Sequence, residues 1–249
     1  VHPSAVGYDF SGLAARYAAY RPRYPRAVVD ALADACAAHG VVWDAGCGSG
    51  QLSVALRARF AEVIATDPSS AQIAAAEACA GVTYRTGDAE DSGLDADSVD
   101  CVVAAQAAHW FDWPRFCAEA HRVARPGAVM AAIGYGRVDA DGAVGELLRG
   151  YERDVAPWWP KERRHVDDGY AQLTWPWPEL ALAMPARLVE RWTLDETFGY
   201  VTTWSATARY REARGDGRLE QLHELLGEAW AGADRREIRW PLVSRACRR

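Results

Sequence analysis

The sequence predicts an α/β protein: a doubly wound, mostly parallel sheet with helices on both faces. Two observations carry this. Short apolar runs alternate with helix-period segments through the first 136 residues, the pattern of repeated βαβ units. Right-handed crossovers between parallel strands then leave the doubly wound sheet as the natural arrangement.

The elements follow in order. Residues 25–40, PRAVVDALADACAAHG, set Val28, Leu32 and Cys36 four apart on one helical face, with Pro25 in the opening turn and Gly40 as a stop. Val41–Trp43 is an apolar strand that runs into DAGCGSG, and the next helix carries Leu52, Leu56 and Phe60 on one stripe. AEVIATD is a second strand ending at Asp67, followed by an alanine-rich helix over 71–80. VTYRTGD, SVDCVVAAQ and AVMAAIGYG are strands three to five, with a helix around 113–125 between the last two.

The second half changes character. Val144, Leu147, Leu148, Tyr151 and Val155 mark a helix, and the stretch after it is rich in tryptophan, proline and charge and does not read as sheet. Residues 186–194 return to strand character, two helical patterns follow near 195–213 and 217–230, and REIRWPLVSRACRR closes as a strand. The tryptophan-rich stretch would bury itself on its own domain, which favours a monomer, and Leu219, Leu222, Leu225 and Leu226 read as core rather than interface. With no internal repeat or low-complexity linker, residues 1–249 read as a single domain.

Composition narrows the function. No apolar run approaches the roughly 20 residues that span a bilayer, and VHPSAVGYDF lacks a basic-then-apolar leader. A cytoplasmic protein without membrane contact is the expectation. The six cysteines are scattered with no C-x-x-C pair, which argues for reduced thiols and implies no metal. The net charge of −6 and the absence of a long basic run disfavour nucleic acid.

The strongest chemical signal is Asp44-Ala45-Gly46-Cys47-Gly48-Ser49-Gly50, between a strand and a helix. Glycines there let the backbone turn sharply and approach a ligand beside helix N-terminal amides. The competing reading is a tight turn with no ligand. Gly46 and Gly48 match the first two glycines of the dinucleotide fingerprint, but Gln51 stands where its third belongs. A nicotinamide dehydrogenase therefore fits poorly. Asp67, about twenty residues after the loop and at a strand end, suits hydrogen bonds from ribose hydroxyls.

The D-x-G-x-G-x-G form resembles the first motif of class I S-adenosylmethionine-dependent methyltransferases. YAAYRPRYP, AAQAAHWFD, TTWSATARYRE and RWPLV resemble a narrower group, small-molecule enzymes similar to the trans-aconitate methyltransferases of fungi and bacteria. The likeness spans most of the chain. It implies a Rossmann-like seven-stranded sheet in the order 3-2-1-4-5-7-6, with a small helical cap (137–185) inserted after strand five.

The resemblance also implies a site. Residues 1–25 would fold over S-adenosylmethionine, bringing Tyr17, Tyr20, Arg21 and Tyr24 to it. Arg21 would pair with the methionine carboxylate or simply pin the segment to the domain. Asp44, Ala45, Gly46, Gly48, Asp67, Pro68, Asp88, Ala89 and Gln106 complete the cofactor set, with Gln106 beside the point of transfer. His109, Trp110 and Phe111 would lie near the sulfonium, the aromatic pair serving a cation–π role or core packing.

A hydroxyl or amine acceptor needs a base, for which His109 is the candidate, whereas a carboxylate needs none. In the cap, Trp158, Trp159, Trp175 and Trp177 would wall an apolar pocket. Lys161, Arg163, Arg164 and His165 would instead clamp an acidic substrate, or face solvent. O-methylation of a small molecule, a carboxylate favoured, is the expected activity. The alternative is a catalytically silent cofactor-binding partner or sensor. A base-amino methyltransferase is disfavoured by the lack of an N/D-P-P-Y/F segment, and Asp112 is the only obvious acid for a metal-dependent catechol site.

Overall fold

The computed structural model describes residues 14–249; the part of the expected cofactor-covering segment before residue 14 lies outside them. The parallel strands are β1 (Val41–Ala45), β2 (Glu62–Asp67), β3 (Val82–Thr86), β4 (Val99–Ala105) and β5 (Ala124–Tyr135). Three more follow: β6 (Glu179–Leu180), β7 (Arg187–Trp192) and β8 (Arg236–Arg248). The sheet order is β3-β2-β1-β4-β5-β8-β6, with β7 also paired to β8. With β8 as the seventh strand and β7 as the sixth, this is the expected order. The two-residue β6 is an addition, in a stretch whose sequence does not read as sheet.

β8 is shared lengthwise among three partners. Leu242–Arg248 lies antiparallel to Val129–Tyr135 of β5, Arg236–Pro241 pairs with β7, and Ala246–Cys247 pairs with β6. Both faces of the sheet are buried. Val42, Cys101, Val103, Val129, Ala131 and Ile133 face one core layer; Trp43, Val102, Ala104, Met130 and Ala132 face the other. This period-two alternation inside near-continuous apolar runs is what a sheet covered on both sides requires.

The helices are α1 (Ala14–Tyr20), α2 (Arg26–Ala35), α3 (Ser53–Leu56), α4 (Ser70–Ala74) and α5 (Trp113–Val123), then α6 (Gly142–Val155), α7 (Arg164–Asp167), α8 (Leu194–Thr202), α9 (Ser205–Arg214) and α10 (Gly217–Trp230). Several are shorter than their sequence pattern. α2 ends before Cys36, and Gly40 is not its stop but the entry to β1, its N–H donating to Asp100 Oδ2 at 2.8 Å. The Leu52/Leu56/Phe60 stripe is fully buried although only Ser53–Leu56 is helical. The alanine-rich helix stops at Ala74, because Glu77, Ala78 and Ala80 are exposed and no packed face extends it. The pattern at 195–213 is two helices, α8 opened by a Thr193/Glu196 capping box and α9 starting after Trp204. Asp112 caps α5 at its N-terminus, accepting from Arg115 N at 3.4 Å.

The 137–185 stretch, expected as a cap, contributes side chains to both core layers. Val144, Leu148, Tyr151 and Val155 join the first core layer, while Val166 and Tyr170 join the second. The chain crosses from one face of the sheet to the other between them. Trp175 and Trp177 pack against the second layer: Trp175 lies edge-on to Trp113, its centroid 5.1 Å away, and Trp177 Nε1 donates to His121 Nδ1 at 3.0 Å. Among the described residues, no helix is long and apolar enough to cross a membrane.

Candidate active site

The loop after β1 is fixed by its glycines. Gly46, Gly48 and Gly50 take φ of 69°, 56° and 84°, a region that favours glycine. A Cβ on Gly46 would lie 2.6 Å from Ala107 Cβ, and one on Gly50 would collide with the Tyr84 ring. At Gly48 such a Cβ would make only ordinary van der Waals contacts, the nearest 3.9 Å away. Two glycines thus serve packing, and the third lines the room over the loop.

That room is a cavity of about 400 Å³ outside the carboxyl ends of β1, β2 and β4, where a doubly wound sheet places its ligands. Of the residues expected at the site, Tyr17, Arg21, Tyr24, Asp44, Gly46, Gly48, Asp67, Pro68, Gln106 and Trp110 line it. Ala45 is fully buried in β1 and faces the second core layer, not the cavity. Asp88 and Ala89 are also absent from the lining; Asp88 is exposed and Ala89 is buried in the second layer. Phe111 both lines the cavity and packs on Phe116, with centroids 4.8 Å apart.

Two carboxylates set the polarity. Asp67 Oδ2 accepts from Gly48 N and Oδ1 from Ser69 N, both at 2.9 Å, which ties the loop to the end of β2. Asp44 is fully buried; its Oδ2 accepts from Ser53 Oγ at 2.6 Å, while Oδ1 is buried with no partner. Burial raises the Asp44 carboxyl to about 7, against the Ser53 hydrogen bond, and the nearby Asp67 adds to the rise.

Arg21 roofs the cavity. Its Nη1 donates to Tyr135 Oη at 3.2 Å and its Nη2 to Thr203 O at 3.0 Å, so it does pin the segment around α1 to β5 and to the α8–α9 corner. Its buried Nε has no partner among the described residues. The Tyr20 ring packs onto Gly199 of α8, where a Cβ would collide with it.

A second, smaller chamber of about 50 Å³ adjoins the first, with Tyr17, Arg21, Gln106 and Trp110 lining both. His109, Trp159, Pro160, Arg163, Val166 and Ser205 complete it. Of the four cationic side chains in the crossing stretch, only Arg163 reaches it; Lys161 and Arg164 are exposed, and His165 lies outside the lining. The Arg163 guanidinium stacks 4.0 Å over Trp159, and its Nε is 3.6 Å from Asp167 Oδ1. Trp158 packs edge-on against Tyr210 instead, its centroid 6.1 Å away. Burial, then the charges of Arg163, His165 and Arg21, push His109 down to about 3.

Sequence reasoning missed several lining residues. Tyr135, Gln72, Ser69 and Ser205 reach the cavities only through tertiary packing. The end of β5 at Tyr135 is the one such position a strand-end argument reaches, since ligands gather at those ends.

The comparisons with known proteins agree with this geometry. A family model described as a methyltransferase domain matches residues 43–132. A protein of Dictyostelium discoideum named as a methyltransferase is 30% identical over 239 residues, covering 93% of this chain and 90% of that one. A solved structure from Anaeromyxobacter dehalogenans, described as a type II methyltransferase, is 45% identical with a TM-score of 0.84, covering 92% of this chain and 98% of that one. A malonyl-[acyl-carrier protein] O-methyltransferase of Pectobacterium atrosepticum is 37% identical over 114 residues, 45% of this chain and 44% of that protein.

Proposed function

Because the chain belongs to the S-adenosylmethionine-dependent methyltransferase family, we propose that it methylates an oxygen of a small molecule, with a carboxylate as the favoured acceptor. The cofactor supplies an electrophilic methyl group on a sulfonium cation. The large cavity has the donors and acceptors to hold it. The unpartnered Asp44 Oδ1 suits an ammonium, the Gly48 backbone lines the cavity where the chain of the ligand would run, and Asp67 keeps lone pairs for hydroxyls. Arg21 lines the same cavity, and a guanidinium there suits a carboxylate.

The observation that carries the acceptor class is the makeup of the small chamber. It pairs two guanidinium groups, Arg21 and Arg163, with an imidazole held near 3. A base that weak takes a proton poorly from a hydroxyl or an ammonium. A carboxylate presents a free lone pair near neutral pH, and its methylation moves no proton. The cationic wall also attracts an anion and aligns it, which is the main task for an in-line displacement. In this reading His109 contributes a neutral hydrogen-bonding edge, and Trp159 holds Arg163 in place. The resemblance to trans-aconitate methyltransferases and the matched stretch of the malonyl O-methyltransferase support the same acceptor chemistry.

The test is methyl transfer from radiolabelled S-adenosylmethionine to a panel of small carboxylic acids, phenols and amines. Label recovered as an ester that mild alkali cleaves is the expected result. Transfer to amines or phenols with no acid methylated refutes the proposal.

A further inference from the structure

Four hydroxyl side chains crowd the corner between α8 and α9, and three of them are engaged by the protein. Thr202 Oγ1 donates to Gly199 O and Thr203 Oγ1 to Tyr200 O, each at 2.6 Å, and Thr207 Oγ1 accepts from Tyr151 Oη at 3.3 Å. The fourth, Ser205, has no hydrogen-bond partner among the described residues. It is only 7% exposed, yet its hydroxyl is not among the unpartnered atoms that the protein closes off. The space this hydroxyl meets is therefore the small chamber, which Ser205 lines. Nearly all buried hydroxyls are hydrogen-bonded, so this one is placed for a partner from outside the chain.

Ser205 also opens α9. The helical ladder begins with Ala208 N donating to Trp204 O at 3.1 Å, so the amides before it lie outside the ladder. Trp204 precedes the helix without a side-chain cap, and the first turn holds no acidic residue. Such an end favours a negative group. Both guanidinium groups of the chamber are tied to the same corner. Arg21 Nη2 donates to Thr203 O at 3.0 Å, and Trp159, which stacks on Arg163, packs on Trp204 with centroids 5.6 Å apart.

We propose that Ser205 and the opening amides of α9, together with Arg163, seat the oxygen of the acceptor carboxylate that is not methylated. The proposal rests on the carboxylate reading above. Gln106 and Trp110 line both cavities, whereas Ser205 and Arg163 line only the small one. The attacking oxygen belongs at the junction, and its companion then falls on the far side. Donors occupy lone pairs and weaken a nucleophile, so they suit the companion, which they fix for an in-line attack. The attacking oxygen bonds the methyl carbon while the sulfonium sulfur keeps the electron pair of the broken bond. The ester formed is neutral, so the seat loses its charge-assisted hold on the product.

Two measurements on Ser205→Ala test this. In saturation-transfer NMR of the S-adenosylhomocysteine-loaded protein, the variant is expected to bind propionate about fivefold more weakly than the wild type, which prefers propionate to propionamide. In turnover with the acids that the wild type methylates, KM is expected to rise by a similar factor, with the affinity for S-adenosylhomocysteine within about twofold. The thermal midpoint holds or rises, because no hydrogen bond within the protein is lost. A hydroxyl that only braced the corner would lower the midpoint and leave KM alone. Unchanged propionate binding and KM in the variant overturn the proposal, as does a wild type that binds propionamide as well as propionate. Failure of the carboxylate reading looks different: no acid is methylated while propionate still binds through Ser205, which keeps the oxyanion seat and removes the acceptor.

Discussion

The hydroxyl of Ser53 donates to Asp44 Oδ2 at 2.6 Å and leaves Asp44 Oδ1 buried without a partner. One oxygen is thereby held by the first turn after the glycine loop, and the other, in the proposed function, receives the cofactor's ammonium. Because burial holds this carboxyl near 7 instead of its ordinary 3.8, the empty site binds a proton at pH 6. Stability from that proton is complete below the ordinary value and is lost as the pH rises through about 7. A cationic ligand reverses the preference and expels the proton. Calorimetry with S-adenosylhomocysteine at pH 6.5, in buffers of different ionisation enthalpy, is expected to show proton release. Asp44→Asn is expected to abolish the release and to weaken binding about tenfold or more. Proton uptake in the wild type contradicts this account.

His109 has the opposite linkage. Its imidazole is pushed from 6.5 to about 3, so the unfolded chain takes up a proton that the folded protein refuses. The folded state keeps its full advantage above 6.5 and loses it as the pH falls toward 3. Between pH 7 and pH 5 the wild type is expected to lose roughly 2 kcal/mol more than His109→Gln, measured by urea unfolding. The same substitution is expected to leave the shape of the pH–rate profile between pH 6 and 8 unchanged. A limb near 6.5 that disappears in the variant restores His109 as a general base.

Arg163 enters the small chamber with one long ion pair and a tryptophan face as its support. Arg163→Met preserves much of the stacking and removes the charge. The expected outcome is a KM for acidic acceptors raised about tenfold or more, with the affinity for S-adenosylhomocysteine unchanged. Lys161→Met, at an exposed position, serves as the control and is expected to change neither. Equal effects from both variants argue for bulk charge instead of a placed guanidinium.

Tyr20 and Gly199 form a seat that admits no Cβ. Gly199→Ala is expected to lower stability by about 1–3 kcal/mol through overpacking and to weaken cofactor binding by displacing α1. Tyr20→Ala removes the obstruction, so the double variant is expected to cost less than the sum of the two single changes. Strict additivity in thermal melts places the effect elsewhere.

Much of this was legible before any coordinates. The glycine loop, Asp67 and the doubly wound plan rest on local signals, namely spacing, strand ends and alternation, whereas the strand order came from the family resemblance. Gln106 was reachable in the same way, as the residue closing an apolar strand. The misses have physical causes. Helix length at 71–80 depends on whether a neighbour buries the later residues, and alanine content does not carry that information. The tryptophans of the crossing stretch look alike in sequence. Yet Trp159 meets the chamber, Trp158 meets Tyr210 and Trp175 meets Trp113 on the opposite face. Asp88 ends in an exposed turn, bridged to Asp91. Ser205 reaches the chamber from the start of α9, through a path no spacing rule anticipates.

The crossing between Val155 and Val166 is anchored at both ends in separate core layers, and it carries Trp159 and Arg163. Substitutions at Arg163 can therefore remodel the small chamber while the core residues at both ends keep their own contacts, whereas Trp158 and Trp159 also pack on the first layer. Such a division makes selectivity cheap to vary by natural mutation. It also marks the stretch as the place to randomise when a laboratory seeks to retarget the catalyst.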